Sequence, residues 1–328
     1  MTTLYPYTPA DVDKVFASHE PTWFDKKRYA SGLDSNPNPS ILIVAGAQGS
    51  GKTYLLDNHL LPSGRYDDFV RLYLPSFRKL HPHYAAMQEK GVLHVYEHTE
   101  SFIWALCDKV FKHAFNNQYN IIMECALDDL GFADFPTQAV EAGYRFEVHL
   151  IACQKEFSHW ATLDRGIKSI AANEPERFMP LSVIEGSQAN ARAILDAFEN
   201  ACIKVQDSEI TLYRRGIETG MDSQVLCSSR CEAVDSLTPQ PDFKGKPFFT
   251  AAQLNPSFEI RRTPAANAPC SYPQYSQVVH TGMLEEDTRQ EMVRLCCKTL
   301  DRAQTEMARV PADVFHQLSM YVLKYIYP

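Results

Sequence analysis

The chain has 328 residues and a 45% hydrophobic fraction, enough for one large α/β domain with an appendage or for two modest domains. Its formal net charge of −8 argues against non-specific nucleic-acid binding, which needs a basic face to displace counterions. No apolar stretch approaches the ~20 residues of a membrane-spanning helix, Met1-Thr2-Thr3-Leu4 begins no basic-then-apolar leader, and the nine scattered cysteines read as reduced thiols. A cytoplasmic protein with no membrane and no nucleic-acid partner is expected.

In chain order, residues 1–39 read as a helical preface, with Thr8 as N-cap, Pro9 at the first helical position and Asp11 in the first turn. Asn36-Pro37-Asn38-Pro39 breaks the chain before the buried strand Ile41-Leu42-Ile43-Val44-Ala45. Gly46-Ala47-Gln48-Gly49-Ser50-Gly51-Lys52-Thr53 then meets every fixed position of a phosphate-binding loop, G-x-x-x-x-G-K-[ST], between that strand and a helix beginning at Tyr54. In this setting backbone N–H groups and the positive helix end cradle a β-phosphate. Lys52 reaches the β- and γ-oxygens and the Thr53 hydroxyl takes a position on Mg²⁺. The sequence therefore implies a bound nucleoside triphosphate, ATP or GTP, with Mg²⁺.

Further strands are expected at Phe69–Leu74, Asn120–Glu124, Phe146–Ala152 and, last, Ile210–Tyr213, with helices over about 102–115, 155–172 and 183–205. Strands alternating with helices imply a P-loop NTPase-type parallel sheet covered on both faces, an α/β fold with ligands at the carboxyl ends of the strands. That rule lines the loop, the residues after Leu74 and those around Glu124 along one crevice. Residues 226–282 are rich in proline and read as a linker or a packed loop. Helical patterns return from Leu284 through Met292, Leu295 and Met307, and from Pro311 through Val314, Leu318, Tyr321 and Tyr325, as core-packing stripes. The expected division is a kinase domain over 1–225 and a Pro-rich linker with C-terminal helices over 226–328.

A phosphate loop alone serves kinases, GTPases, motors and ATPases. The guanine-reading N-K-x-D element of GTPases is absent, Asp128-Asp129 lies past the third strand, and Arg165 and Arg177 follow as cations for a transferring phosphoryl group. At this point the sequence resembles the zeta-toxin family, bacterial kinases of UDP-N-acetylglucosamine, over roughly residues 40–215. The resemblance rests on the phosphate loop, Phe77 with His81-Pro82, Ile122-Met123-Glu124, Gly143-Tyr144, Leu163-Asp164-Arg165 and Pro175-Glu176-Arg177.

The resemblance implies that Lys52 and Thr53 hold the triphosphate and Mg²⁺, that Arg165 and Arg177 contact transferring phosphates, and that Glu124 and Asp108 face the substrate. Asp108 reads equally as a solvated helix residue, and the two arginines as surface ion-pair partners. The family's proton-accepting aspartate, shortly after the second strand, falls here on Leu74-Pro75-Ser76-Phe77, with Pro75 or its neighbours in its place, and proline can do no acid–base chemistry. Glu124, Asp108 or His81 could substitute, the alignment could be displaced, or the kinase could be impaired. The family's Thr and Arg after the third-strand acid are also missing from Cys125-Ala126-Leu127-Asp128. The leading expectation is a kinase acting as a toxin on a hydroxyl of a nucleotide-like metabolite, UDP-N-acetylglucosamine or NAD, with an antitoxin or chaperone partner. The competing expectations are a nucleotide-binding pseudokinase working by protein contact and a nucleotide-dependent assembly or ATPase module.

Overall fold

The computed structural model describes residues 4–26, 38–249, 271–283 and 285–327. Helix α1 (Pro9–Trp23) starts where its cap places it: Asp11 N–H donates to Thr8 Oγ1 at 3.3 Å and Thr8 N–H donates to Asp11 Oδ2 at 2.8 Å, a closed capping box. Asn36 and Pro37 lie outside the described residues, and Pro39 leads directly into β1 (Ser40–Ala45). All six residues of β1 are buried, as a central parallel strand covered on both faces requires.

After the phosphate loop, α2 (Lys52–Leu55) continues through a widened turn, Leu56–Leu60, and a tightened one, Leu61–Ser63. The expected strand Phe69–Leu74 shortens to β2 (Val70–Arg71) at the sheet edge. The chain turns at Tyr73 into α3 (Leu74–Arg78), whose first turn takes Pro75 because an unpaired N–H there needs no partner. After α4 (Tyr84–Gln88) comes α5 (Val92–Asn116), which begins ten residues earlier than its apolar stripe from Phe102 indicated. Val92, Val95 and Thr99 are buried in that extra stretch, where His94, Glu97 and His98 interrupt the hydrophobic period.

The strands β3 (Ile121–Cys125) and β4 (Arg145–Cys153) flank β1, with α6 (Phe135–Glu141) between them in sequence, and α7 (Lys155–Ala172) and α8 (Leu181–Cys202) precede β5 (Glu209–Arg215). The sheet order is β2-β3-β1-β4-β5-β6-β7. Its first five strands run parallel.

Ile210–Tyr213 does not close the sheet. β6 (Ser223–Arg230) adds antiparallel to β5 and β7 (Thr238–Pro239) antiparallel to β6, so the sheet runs through position 225 and into the stretch read as a linker. Proline is tolerated at β7 because it is an edge strand. Within the same stretch α9 (Ser271–His280) buries Tyr275, Val278 and Val279 in the core that contains β4 and β5. Residues 250–270 lie outside the described residues.

The last helices, α10 (Glu286–Thr305) and α11 (Ala312–Ile326), pack on α7. Met292, Leu295, Leu318, Tyr321 and Tyr325 meet Phe157, Trp160, Leu163 and Ile167. Met307 falls beyond α10 and is exposed, and Leu284 lies outside the described residues. Polar ties lock the two layers: Trp160 Nε1 donates to Thr299 Oγ1 at 3.1 Å, Thr299 Oγ1 donates to Asp164 Oδ1 at 3.0 Å, and Arg302 pairs with Asp164. Asp164 thus fastens α10 to the helix that carries Arg165.

Eight cysteines among the described residues are free thiols. Under the sheet, at the amino ends of β4 and β5, Glu147, His149 and Glu209 converge. Tyr66 and Arg65 bind Glu147, and His149 bridges Glu147 and Tyr213 at 3.1 and 2.9 Å. These partners hold the Glu147 carboxyl down at about 2 despite its burial. Burial and the Glu147 charge push Glu209 up, and its buried Oε1 has no hydrogen-bond partner among the described residues.

Candidate functional site

The phosphate loop joins the carboxyl end of β1 to α2. Gly49, at φ 79°, lies so close to α7 that an added Cβ would stand 2.1 Å from the Ser158 carbonyl oxygen. No other residue type fits there. No group among the described residues accepts from the N–H groups of Gln48, Gly49 or Gly51. The buried Ser50 hydroxyl has no partner either. Unmet donors curled at a helix start are what an incoming phosphate satisfies.

Lys52 is buried, and its Nζ donates to the carbonyls of Gly46 at 2.8 Å and Ala47 at 3.0 Å. Burial pulls its ammonium down to about 8. Glu124 and Asp128 counter this in part, and Arg165 adds to it. The loop thus holds its own lysine folded back on its Gly46 and Ala47 carbonyls.

The Thr53 hydroxyl donates to Glu124 Oε2 at 2.8 Å. The register of β1 on β3, Val44 opposite Glu124, brings the acid beside the loop. Arg71 lies 3.4 Å from Glu124 Oε1 and 2.9 Å from Asp57 Oδ1, with its guanidinium 4.3 Å from the Tyr73 ring centroid. A threonine hydroxyl and a carboxylate side by side offer two oxygens to a hard divalent cation.

Past β3, Leu127 is buried with φ 61°, a left-handed conformation that is strained for a branched side chain. Its N–H donates to Cys125 Sγ at 3.4 Å and its carbonyl accepts from Asn190 Nδ2 at 3.2 Å. This pinned turn presents Asp128 to solvent, near enough to Lys52 for its charge to be felt there.

Arg165 is 49% exposed and its Nε lies 2.7 Å from Glu176 Oε2. Its charge reaches both Lys52 and Tyr73, so it overlooks the loop. Arg177 lies 4.9 Å from the Tyr96 ring centroid. The same ring carries the buried Arg78 at 3.7 Å, which donates to Thr99 Oγ1 at 2.6 Å and pairs with Glu100.

Asp108 is not brought to this group. It is 56% exposed and pairs with Lys112 at 2.7 Å, one turn on. It stands ~18 Å along α5 from Tyr96, taking 1.5 Å of rise per residue. His81 sits instead under α1, packed on Phe102 and Tyr7, with Nδ1 accepting from the His83 N–H at 3.0 Å. Burial and the neighbouring His83 push it down to about 4.

Sequence reading passed over Arg71, Arg78 and Arg215, and set Asp128 aside as lying past the third strand. Two signals pointed to them: Arg71 and Arg215 end strands, where α/β ligands sit, and Arg78 directly follows the buried Phe77.

The sequence model of the Zeta toxin family matches residues 23–218. Toxin PezT of Streptococcus pneumoniae serotype 4 is 26% identical over 136 residues, 41% of this chain and 53% of PezT, so the match spans about half of that relative. A structure from the PezAT chromosomal toxin–antitoxin system of the same organism aligns over 67% of this chain and 82% of its own at 22% identity, with a TM-score of 0.50. Two structures of the AvrRxo1-ORF1:AvrRxo1-ORF2 complex align over 96% of this chain. One, with sulphate ions, does so at 12% identity over 84% of its own chain, with a TM-score of 0.54. The other, with ATP, does so at 13% identity over 82% of its own chain, with a TM-score of 0.52. At these identities the structures share the fold.

Proposed function

The chain belongs to the zeta toxin family, whose members are kinases, and from that premise we propose that it transfers the γ-phosphoryl group of Mg²⁺-bound ATP to a hydroxyl of a nucleotide-like metabolite. The pairing of Thr53 with Glu124 beside the phosphate loop carries this reading. In it, Gly46 to Lys52 and the unpaired N–H groups cradle the β- and γ-phosphates, and Thr53 and Glu124 hold Mg²⁺. Lys52 and Arg165 neutralise charge spreading over the γ-oxygens, and Arg177, laid on Tyr96, guides the acceptor.

With Glu124 engaged at the metal, Asp128 is the carboxylate free to take the proton of the acceptor hydroxyl. It supplies in a different loop what Pro75 cannot. UDP-N-acetylglucosamine and the ribose of NAD are the acceptors to test first. The reading also includes GTP as a second donor, toxicity in a cytoplasm where the acceptor is drained, and neutralisation by a protein partner.

Incubating the purified chain with labelled ATP, Mg²⁺ and each acceptor decides the matter. Transfer of label to UDP-N-acetylglucosamine or NAD supports the kinase. Pro75 at the family's aspartate position favours one rival, a pseudokinase, and tight ATP binding with no transfer to any acceptor would establish it.

A further inference from the structure

Arg215, the last residue of β5, lies against the phosphate loop from the side opposite Glu124. A Cβ on Gly51 would stand 2.8 Å from Arg215 Cδ and Nε, so glycine at this loop position admits the arginine. Its guanidinium carbon lies 5.6 Å from the Tyr54 ring centroid and 5.5 Å from that of Phe157, and its Nε donates to the Met221 carbonyl at 2.9 Å. No group among the described residues accepts from its two terminal nitrogens, and no carboxylate among them lies within ion-pair distance, although the charge of Asp222 reaches it. Burial pulls this guanidinium below its ordinary value. Asp222 is itself paired with His59 at 3.0 Å, so a partly desolvated cation here gains from a further anion that a ligand supplies.

The fold says which part of the ligand that is. On the kinase reading above, Thr53 and Glu124, which meet on the β3 side of the loop, would hold Mg²⁺ and with it the γ end there. In the order β3-β1-β4-β5 the nucleoside end must then leave toward β5. There the groups beside the loop are Arg215 and the 43%-exposed Tyr54 ring. We infer that Arg215 is a nucleotide-binding residue that receives the α-phosphate, with the nucleoside leaving across Tyr54. The inference rests on the nucleotide-binding reading above and adds a specificity device to it: the site tells a nucleoside triphosphate from inorganic pyrophosphate.

The test compares binding of ATP, ADP and pyrophosphate to the full chain, to Lys52→Ala and to Arg215→Met, which keeps the aliphatic stem over Gly51. Charge-assisted hydrogen bonds of this kind correspond to an affinity loss of about ten- to a hundredfold. Arg215→Met should lose that much for ATP and ADP, hold pyrophosphate within about twofold, and melt with the parent. Lys52→Ala should weaken all three ligands. Equal weakening of pyrophosphate and ATP in Arg215→Met, or no weakening of either, overturns the inference while the nucleotide site itself stands. A parent chain that binds none of the three removes both readings. If Arg215→Met melts early, Arg215→Lys, which retains a cation, should restore the fold and part of the ATP preference. Restored melting without any return of that preference would also overturn the inference.

Discussion

The Thr53 hydroxyl donates to Glu124 Oε2 at 2.8 Å, although the two residues lie 71 positions apart. A threonine that waits on a carboxylate in this way is set to exchange that bond for a shared cation. The two proposed roles of Glu124, metal ligand and proton acceptor, then predict different behaviour.

If Glu124 holds Mg²⁺, Glu124→Gln keeps shape and one acceptor for Thr53 but weakens the metal. Turnover should fall ~10²–10³-fold, in the range of lost electrostatic stabilisation of the transition state. Higher Mg²⁺ should recover much of it, and ATP binding without metal should be unchanged. A titration of rate against Mg²⁺ reads this directly. A loss that no Mg²⁺ concentration repairs would return Glu124 to the role of base.

Lys52 carries a pH signature. Burial lowers its free-state value to about 8, and phosphate oxygens beside it would raise that value. The sign follows: binding takes up a proton above about pH 8, so affinity is full below that pH and weakens above it. The slope approaches tenfold per pH unit. Calorimetry of ATP binding in buffers of different ionisation enthalpy checks the uptake. Lys52→Arg, always charged, should lose the pH dependence whatever its absolute affinity.

Arg165 and Arg177 should separate in kinetics. Arg165 overlooks the loop, so Arg165→Ala should lower kcat by ~10²-fold or more with little change in ATP affinity, because a transition-state contact raises rate rather than binding. Arg177→Ala should act mainly on the KM for the acceptor. Steady-state kinetics with each substrate varied, beside a melting curve, distinguish both from loss of fold.

The two aspartates offer the sharpest contrast. Asp128→Asn should cost ~10²–10⁴-fold in kcat, the usual contribution of a general base, with ATP affinity and melting unchanged. Asp108→Asn should leave kcat within about twofold and stability within ~0.5 kcal/mol, as for an exposed surface change. The reverse result would restore Asp108 to the substrate side and remove Asp128 from it.

Much of this was legible in order along the chain. The eight residues from Gly46 to Thr53 carry their conformation and chemistry in their own identities, and Thr8 with Asp11 does the same for the start of α1. Buried parallel strands announce themselves as apolar runs, so β1, β3 and β4 could be read to within one or two residues at either end. β6 and β7 could not be read that way. An antiparallel edge that carries serines and prolines is held by its ladder to β5, and that ladder belongs to the sheet rather than to the segment. Asp108 and Asp128 show the same division at the site: both are acids at plausible spacings. Which one comes within electrostatic reach of Lys52 depends on where α5 points its faces and on the turn after β3 that the strained Leu127 shapes. The sequence by itself determined the phosphate loop, because its contacts are local. Tertiary structure decided which distant side chains, Glu124 and Arg215 among them, come to stand beside that loop, because only the strand order converts separation along the chain into a few ångströms.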